Sequence, residues 1–297
     1  MKNRSFLILL LAMLSVLPVC ATKRALIIGI GDYPESTGWA KINGDKDVAT
    51  VEHMLVSLGF DKAHIVKLTN AQATAAGIKA ALENLIQASG KSDFVYIHFS
   101  GHGQRMTDTN GDEPTGWDEA WVPYDAQLTY EEGTGVFIKK GGYQGQNHLV
   151  DDEINEYLYR LRQKIGREGR IIVIADACHS GGGSREADDE DGEEWIARGT
   201  SLRGTSDDFV IPNPSGSPKI GGHQVDWIYI SACKSTQSNF EYRGVGSLTY
   251  TLNQLSAQFE TLDCTALQKQ IRNIMRDIIP FTQTPTVESP NPQERFF

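Results

Sequence analysis

Two residues that together can perform nucleophilic catalysis each follow an apolar run in this sequence. His102 lies in Ser-Gly-His-Gly directly after the run Phe94–Phe99, and Cys178 lies in Asp-Ala-Cys-His directly after Ile171–Ala175. A cysteine attacks as the thiolate, and a neighbouring imidazole can accept and return the proton. Glycines on both sides of His102 allow a tight backbone turn. The amides of Gly103 and Cys178 could stabilise a developing oxyanion.

Each motif alone also has an ordinary interpretation. A cysteine after a strand is often a small buried hydrophobic residue, and Gly-His-Gly is often only a turn. A metal site formed by His102, Cys178 and His179 is a further alternative, but the sequence offers no evident fourth ligand. The two motifs on successive strand ends favour catalysis.

The elements that would position these residues alternate along the chain. Short continuous apolar runs predict buried strands, and stretches with apolar residues three or four apart predict helices. The predicted strands are Arg24–Ile30, His64–Leu68, Phe94–Phe99, Ile171–Ala175 and Asp226–Ile230. The predicted helices are Asp47–Leu58, Thr74–Ala88, Asp152–Lys164, Leu248–Phe259 and Ala266–Ile279. This alternation predicts an α/β fold with a mainly parallel sheet and helices on both faces, whose carboxyl edge carries the site.

The composition describes one acidic globular domain, residues 22–297. The chain has 297 residues, with 28 Lys and Arg against 38 Asp and Glu, and a net charge of −10. This balance argues against a nucleic-acid partner, because phosphate binding needs clustered basic residues, but it permits a cationic substrate. Residues 185–224 are rich in Gly, Ser and acidic residues, which predicts a mobile surface linker between a larger and a smaller part.

The first 21 residues are predicted to be a signal peptide. Lys2 and Arg4 precede the apolar run Phe6–Leu17, and small residues end the segment. Its twelve residues fall short of the roughly 20 needed for a membrane-spanning helix, so we expect export without a stable membrane span. A lipid anchor at Cys20 is the weaker alternative. Cleavage after Ala21 would leave three cysteines, an odd number that requires at least one thiol outside a disulfide.

The motifs together resemble the caspase-like cysteine peptidases, and among them the metacaspases and their bacterial relatives. The similarity rests on the segments His98–Gly103 and Asp176–Gly181, in this order along the chain. Papain-like peptidases have the cysteine before the histidine. The resemblance implies a caspase-like three-layer sandwich, a His102–Cys178 dyad, an oxyanion hole that includes Gly103, and peptide hydrolysis through an acyl-enzyme. The chemistry would require no cofactor.

The resemblance also implies a substrate preference. Metacaspases cleave after Arg or Lys and use an acidic pocket, which here would be formed by Asp47, Ser100 and Asp176. We therefore expect protein or peptide substrates with basic residues. The alternatives are a caspase-like peptidase that cleaves after Asp and a non-catalytic module that binds peptides or partners. The sequence leaves the oligomeric state open.

Two further expectations follow from the resemblance. Many metacaspases depend on calcium, and the matching carboxylates would be Asp118, Asp151 and Asp152, although Arg185 stands where a fourth acidic ligand is expected. Many relatives also cleave themselves between their larger and smaller parts. Arg198 or Arg203 in the predicted linker would be the site here.

Overall fold

The structure is a computed structural model that describes residues 21–108, 110–111, 113, 116–128, 130–131, 136–137, 145–178, 186–188, 194–199 and 226–297. The predicted signal peptide therefore lies outside the described residues except for its last residue. His179, Arg185, Arg203 and most of the predicted linker lie outside them as well.

Strands and helices alternate through most of the described chain. The strands are β1 Lys23–Gly29, β2 Ile65–Thr69, β3 Phe94–Ser100, β4 Gly103–Thr107, β5 Trp117–Trp121, β6 Tyr130–Glu131, β7 Val136–Phe137, β8 Leu149–Val150, β9 Arg170–Asp176, β10 Glu186–Asp188, β11 Glu194–Ile196, β12 Ile228–Ser231, β13 Glu241–Tyr242, β14 Val245–Gly246 and β15 Thr286–Glu288. The helices are α1 Gly44–Ser57, α2 Ala75–Ala88, α3 Asp151–Ile165, α4 Ser247–Leu255 and α5 Cys264–Ile278. All five predicted strands and all five predicted helices are present, with their ends moved by a few residues.

A six-stranded sheet organises the molecule, in the order β15-β12-β9-β3-β1-β2. Its strands are parallel except β15, which pairs antiparallel with β12. Strands β3 and β9 are neighbours, with Ser100 opposite Asp176 at their carboxyl ends. The two segments that carry His102 and Cys178 therefore leave the sheet side by side.

The sheet has a hydrophobic cluster on each face. Alternate residues of β1 point to opposite faces, as the period of a strand requires, so Leu26 lies in one cluster and Ile27 in the other. Helices α2 and α3 contribute to the first cluster, and α1, α4 and α5 contribute to the second. The predicted three-layer α/β sandwich is confirmed.

Helix α1 begins three residues earlier than predicted, at Gly44. A Cβ at Gly44 would lie 2.5 Å from the carbonyl oxygen of Ile30 and 2.6 Å from that of Ser100. Only glycine lets the helix start so close to the ends of β1 and β3. This approach places Asp47, in the first turn of α1, beside Ser100. Among the described residues, no helix is long and apolar enough to cross a bilayer.

Candidate active site

The histidine and the cysteine of the predicted dyad lie just beyond neighbouring strand ends. His102 follows β3 by two residues, and Cys178 follows β9 by two residues. Both are 1% exposed. The register of the two strands brings these segments to the same point of the carboxyl edge, as the sequence predicted.

The imidazole of His102 is held from three sides. Its Nε2 lies 3.0 Å from the carbonyl oxygen of Ala40, and this acceptor makes Nε2 the protonated nitrogen. The ring also contacts those of Trp39 and Tyr33, with both centroid distances at 4.9 Å. The backbone amide of His102 donates to the Tyr33 hydroxyl at 3.0 Å. Nδ1 is therefore the nitrogen suited to exchange a proton with the cysteine thiol.

Two backbone amides converge on one carbonyl oxygen of the chain itself. The amide of Cys178 donates to the oxygen of Arg198 at 2.8 Å, and the amide of Gly103 donates to the same oxygen at 3.4 Å. This is the arrangement of an oxyanion hole that holds the carbonyl of a peptide. The next residue, Gly199, lies against Cys178, because a Cβ added at Gly199 would be 3.0 Å from the Cys178 Sγ.

The side chain of Arg198 fills the predicted acidic pocket. Its guanidinium is completely buried, and Nη1 lies 2.8 Å from Asp47 Oδ2 and 3.7 Å from Asp176 Oδ1. Nη1 also donates to Ser100 Oγ at 2.5 Å, and Ser100 in turn donates to Asp47. The structure thus brings together all three residues that the sequence assigned to the pocket.

A third carboxylate, which the sequence analysis missed, completes the pocket. Both Nε and Nη2 of Arg198 lie 3.1 Å from Glu241 Oε1. The Glu241 carboxylate also accepts the backbone amide of Asn43 at 2.7 Å, which fixes its position. A Cβ at Gly246 would collide with Asp176 and with the guanidinium, so a glycine is needed in this wall.

The charges in the pocket depend on one another. Burial by itself would lower the pKa of Arg198, but Asp47, Glu241 and Asp176 together raise it above its ordinary value. Burial raises the pKa of Asp47 to about 6, because the charged form loses its hydration, while Arg198 opposes this rise. Arg198 therefore offsets part of the cost of burying the Asp47 carboxylate as an ion.

The floor of the pocket is a hydrogen-bonded network around Asp176. Its Oδ2 accepts both the amide of Thr249 at 2.7 Å and the Thr249 hydroxyl at 2.6 Å, and its Oδ1 accepts the Asn239 amide group at 2.7 Å. The Thr249 hydroxyl accepts in turn from His98 Nε2 at 3.0 Å. Burial lowers the pKa of His98 to about 4, so this imidazole is neutral at pH 7.

The expectation of an exposed linker is wrong for its described part around Arg198. Residues 194–199 pair with the segment before β13, where the Arg198 amide donates to the Asn239 carbonyl at 2.9 Å and Ala197 forms an antiparallel bridge with Phe240. Polar composition predicted exposure for the whole stretch. The buried ion pairs of Arg198 and the apolar contacts of Trp195 outweigh that local preference.

The carboxylates proposed as calcium ligands are not part of the pocket around Arg198. Asp118 is on β5, and Asp151 and Asp152 begin α3. Burial raises the pKa of Asp151 well above its ordinary value, and the neighbouring carboxylates raise it further, Asp118 first. Among the described residues, no group of three or more His, Cys, Asp or Glu side chains is arranged to hold a metal ion. Calcium binding at Asp118, Asp151 and Asp152 therefore stays a prediction.

The three described cysteines form no disulfide with one another. Cys178 and Cys233 both donate to the carbonyl oxygen of Gln237, each at 3.2 Å. Cys264 begins α5, where burial raises its pKa to about 11 and makes it a poor nucleophile.

The amino-acid sequence matches the family model of the caspase domain over residues 22–297. It is 32% identical over 180 residues to metacaspase-4 of Arabidopsis thaliana, covering 58% of this chain and 37% of that protein. It is 30% identical over 167 residues to metacaspase-1 of Eremothecium gossypii, covering 54% of this chain and 32% of that protein. The alignments thus span about a third of the length of these curated relatives.

The fold also matches a solved structure. The crystal structure of a protein from Geobacter sulfurreducens superposes with a TM-score of 0.59 and covers 90% of this chain and 92% of its own. The identity of 22% supports a shared fold alone. The family match over nearly the whole chain, together with the fold, shows that this chain belongs to the caspase-domain family and is similar to the metacaspases.

Proposed function

We propose that this protein is a cysteine endopeptidase that cleaves peptide bonds after arginine, and less readily after lysine. The observation that carries the proposal is the seating of Arg198. Its carbonyl oxygen lies between the amides of Gly103 and Cys178, and its guanidinium lies among three carboxylates. A substrate arginine in the same place would present its carbonyl carbon to the cysteine.

In the proposed reaction, His102 and Cys178 act as a catalytic dyad. His102 Nδ1 accepts the thiol proton, and the Cys178 sulfur attacks the carbonyl carbon. The two amides stabilise the resulting oxyanion, a contribution typically worth about 2.7–4 kcal/mol for one donor. The protonated imidazole then gives its proton to the leaving amine. The carbon–nitrogen bond breaks, and the carbonyl carbon remains bound to the sulfur as a thioester. Water, deprotonated by the same imidazole, attacks the thioester and releases the acid product.

The pocket favours arginine for a geometric reason. A guanidinium offers donors to Asp47 on one side and to Glu241 on the other. A lysine ammonium lacks the Nε–H group that faces Glu241. An aspartate side chain would be repelled by the carboxylates, which argues against caspase-like cleavage after Asp.

A panel of four reporter peptides ending in Arg, Lys, Asp or Asn tests the proposal. We expect the order Arg, then Lys, with no turnover of the acidic or amide peptides. Cys178→Ala should abolish turnover, and Asp47→Ala should lower kcat/KM for the arginyl peptide by at least tenfold. Binding of the arginyl peptide without any turnover by the wild type would instead support a non-catalytic peptide-binding module.

We also propose self-cleavage at the Arg198–Gly199 bond, since that bond lies at the nucleophile. Mass spectrometry of the purified protein should find a cut there in the wild type and none in Cys178→Ala. Gly199→Ala should slow the cut, because the added Cβ would press on Cys178. The same fragments from Cys178→Ala would assign the cut to another protease. Arg203, the other candidate, lies outside the described residues.

Calcium binding and export stay predictions. The resemblance implies that calcium would bind at Asp118, Asp151 and Asp152. A melting temperature and an activity that do not differ between excess calcium and a chelator would remove the calcium hypothesis. N-terminal sequencing of the protein made in a host that exports it would test cleavage after Ala21.

A further inference from the structure

The proposed function explains the position of Arg198 but not the burial of the residues that precede it. Ala197 and Trp195 are 8% and 5% exposed, and both belong to a separate hydrophobic cluster with Phe240 and Ile279. Three partly buried residues, Tyr242, Ile278 and Phe281, pack against this cluster. None of these contacts serves the catalytic dyad or the acidic pocket.

The segment that ends at Arg198 is extended. Arg198 donates its amide to Asn239, Ala197 is bridged to Phe240, and residues 194–196 form β11. Alternate side chains of a strand point to opposite sides. Trp195 and Ala197 accordingly share the small aromatic cluster, whereas Ile196 packs against the main core cluster.

Aromatic side chains pack around Trp195, and we call the group formed by Phe240, Tyr242 and Phe281 the aromatic seat. Its ring meets that of Phe281 edge-on, with centroids 5.8 Å apart and planes at 89°, and stacks with Tyr242 at 6.4 Å and 27°. Phe240 and Phe281 are themselves in contact, at 4.5 Å. Edge-to-face and offset arrangements at such distances are favourable for aromatic pairs beyond the area that they bury.

We propose that this aromatic seat is a specificity subsite of the enzyme, which selects substrates with a large aromatic residue three positions before the cleaved arginine. The same site selects a small residue directly before the arginine, where Ala197 lies under Phe240. The preferred substrates are thus peptides of the form aromatic–any–small–Arg, and the chain's own Trp-Ile-Ala-Arg is one example. The inference rests on the proposed peptidase function and adds a second determinant to it.

Two reporter peptides, Trp-Ile-Ala-Arg and Ala-Ile-Ala-Arg, test the inference on the full-length protein. We expect kcat/KM to be at least tenfold higher for the first, which corresponds to about 1.4 kcal/mol. The tethered segment competes equally with both peptides, so it does not alter their ratio. Phe281→Ala should reduce the ratio to near one, because it should lower kcat/KM much more for Trp-Ile-Ala-Arg than for Ala-Ile-Ala-Arg. Phe281→Leu, which keeps most of the apolar volume, should give an intermediate ratio.

The outcomes separate the inference from the proposed function. Equal turnover of both peptides by the wild type would overturn the aromatic subsite and leave the arginine-specific peptidase standing. A ratio that survives Phe281→Ala would place the selection elsewhere and also contradict the subsite. If neither peptide is cleaved, equal affinities of the Cys178→Ala protein for the two peptides would overturn the subsite independently of the chemistry. Tyr159→Ala, an exposed aromatic residue on α3, is the matched control and should leave the ratio unchanged.

Discussion

Two groups of acidic side chains lie near the carboxyl edge of the sheet, and they differ in how their charge is balanced. In the pocket, Asp47, Asp176 and Glu241 surround the guanidinium of Arg198. In the other group, burial and the neighbouring carboxylates all raise the pKa of Asp151. The first group is stabilised by a cation of the same chain, and the second accumulates repulsion.

The difference shows how a nearby cation changes the stability of buried acidic side chains. Buried carboxylates destabilise a fold unless a partner compensates for the lost hydration. The pocket therefore favours the occupied form, whether the occupant is Arg198 or a substrate. The group around Asp151 favours any change that removes negative charge, such as protonation.

Removing the cation should give the largest effect. Arg198→Met in a Cys178→Ala background leaves three buried carboxylates uncompensated, and we expect a loss of about 3–5 kcal/mol in the free energy of unfolding. Urea denaturation of both proteins at pH 7.5 measures it. Arg160→Met is the control, since Arg160 pairs with Glu83 at the surface and its loss should be nearly neutral. Equal effects of the two substitutions would contradict the importance of the buried pocket.

The folded protein should also lose stability as the pH falls, because His98 is buried as the neutral imidazole. Its folded pKa of about 4 lies below the ordinary value of 6.5, so the unfolded chain binds the proton first as the pH falls. The stability is complete above pH 6.5 and is lost as the pH falls to 4, by about 3 kcal/mol. Denaturation curves between pH 4 and 7 should be flatter for His98→Gln than for its Cys178→Ala parent. Parallel curves would show that His98 does not titrate in this way.

A smaller effect should follow from the third carboxylate. Glu241→Gln removes the ionic partner of the Nε side of a bound arginine, which a lysine never contacts. We expect the ratio of kcat/KM for arginyl over lysyl peptides to fall about tenfold, or about 1.4 kcal/mol. An equal loss for both peptides would mean that Glu241 acts only through general charge or through the structure of its hairpin.

The smallest effect should come from the group around Asp151, with the opposite sign. Asp151→Asn removes a carboxylate whose pKa is raised in the folded protein. The wild-type Asp151 therefore supports the fold fully only below its unfolded pKa, and this support is lost as the pH rises. The variant should therefore be more stable at pH 7.5, with a melting temperature about 2–4 °C higher. Calorimetry at pH 4 should find this advantage reduced. A variant less stable at both pH values would show that Asp151 is stabilised as an ion.

The sequence predicted the parts of the site that strand ends carry. His102 and Cys178 lie just after apolar runs, and parallel strands bring the ends of these runs together. Asp47, Ser100 and Asp176 could be assigned to the pocket only through the family resemblance, and the close approach of Gly44 explains the position of Asp47.

Other parts could not be predicted, for identifiable physical reasons. The acceptor of His102 is a backbone carbonyl, that of Ala40, which no side-chain pattern reveals. Glu241 lies far along the chain on a two-residue strand, without a periodic signal. The burial of Arg198 was missed because its surroundings in sequence are polar, and the partners that bury it come from distant elements.

The seat of Arg198 has a consequence for the order of events after self-cleavage. The proposed hydrolysis would convert the Arg198 carbonyl into a carboxylate between the amides of Gly103 and Cys178, with its side chain among the acidic residues. The severed end would thus behave as a retained product. The onset of activity toward other substrates would then be governed by the departure of this end, and progress curves would begin with a lag that outlasts the cut itself.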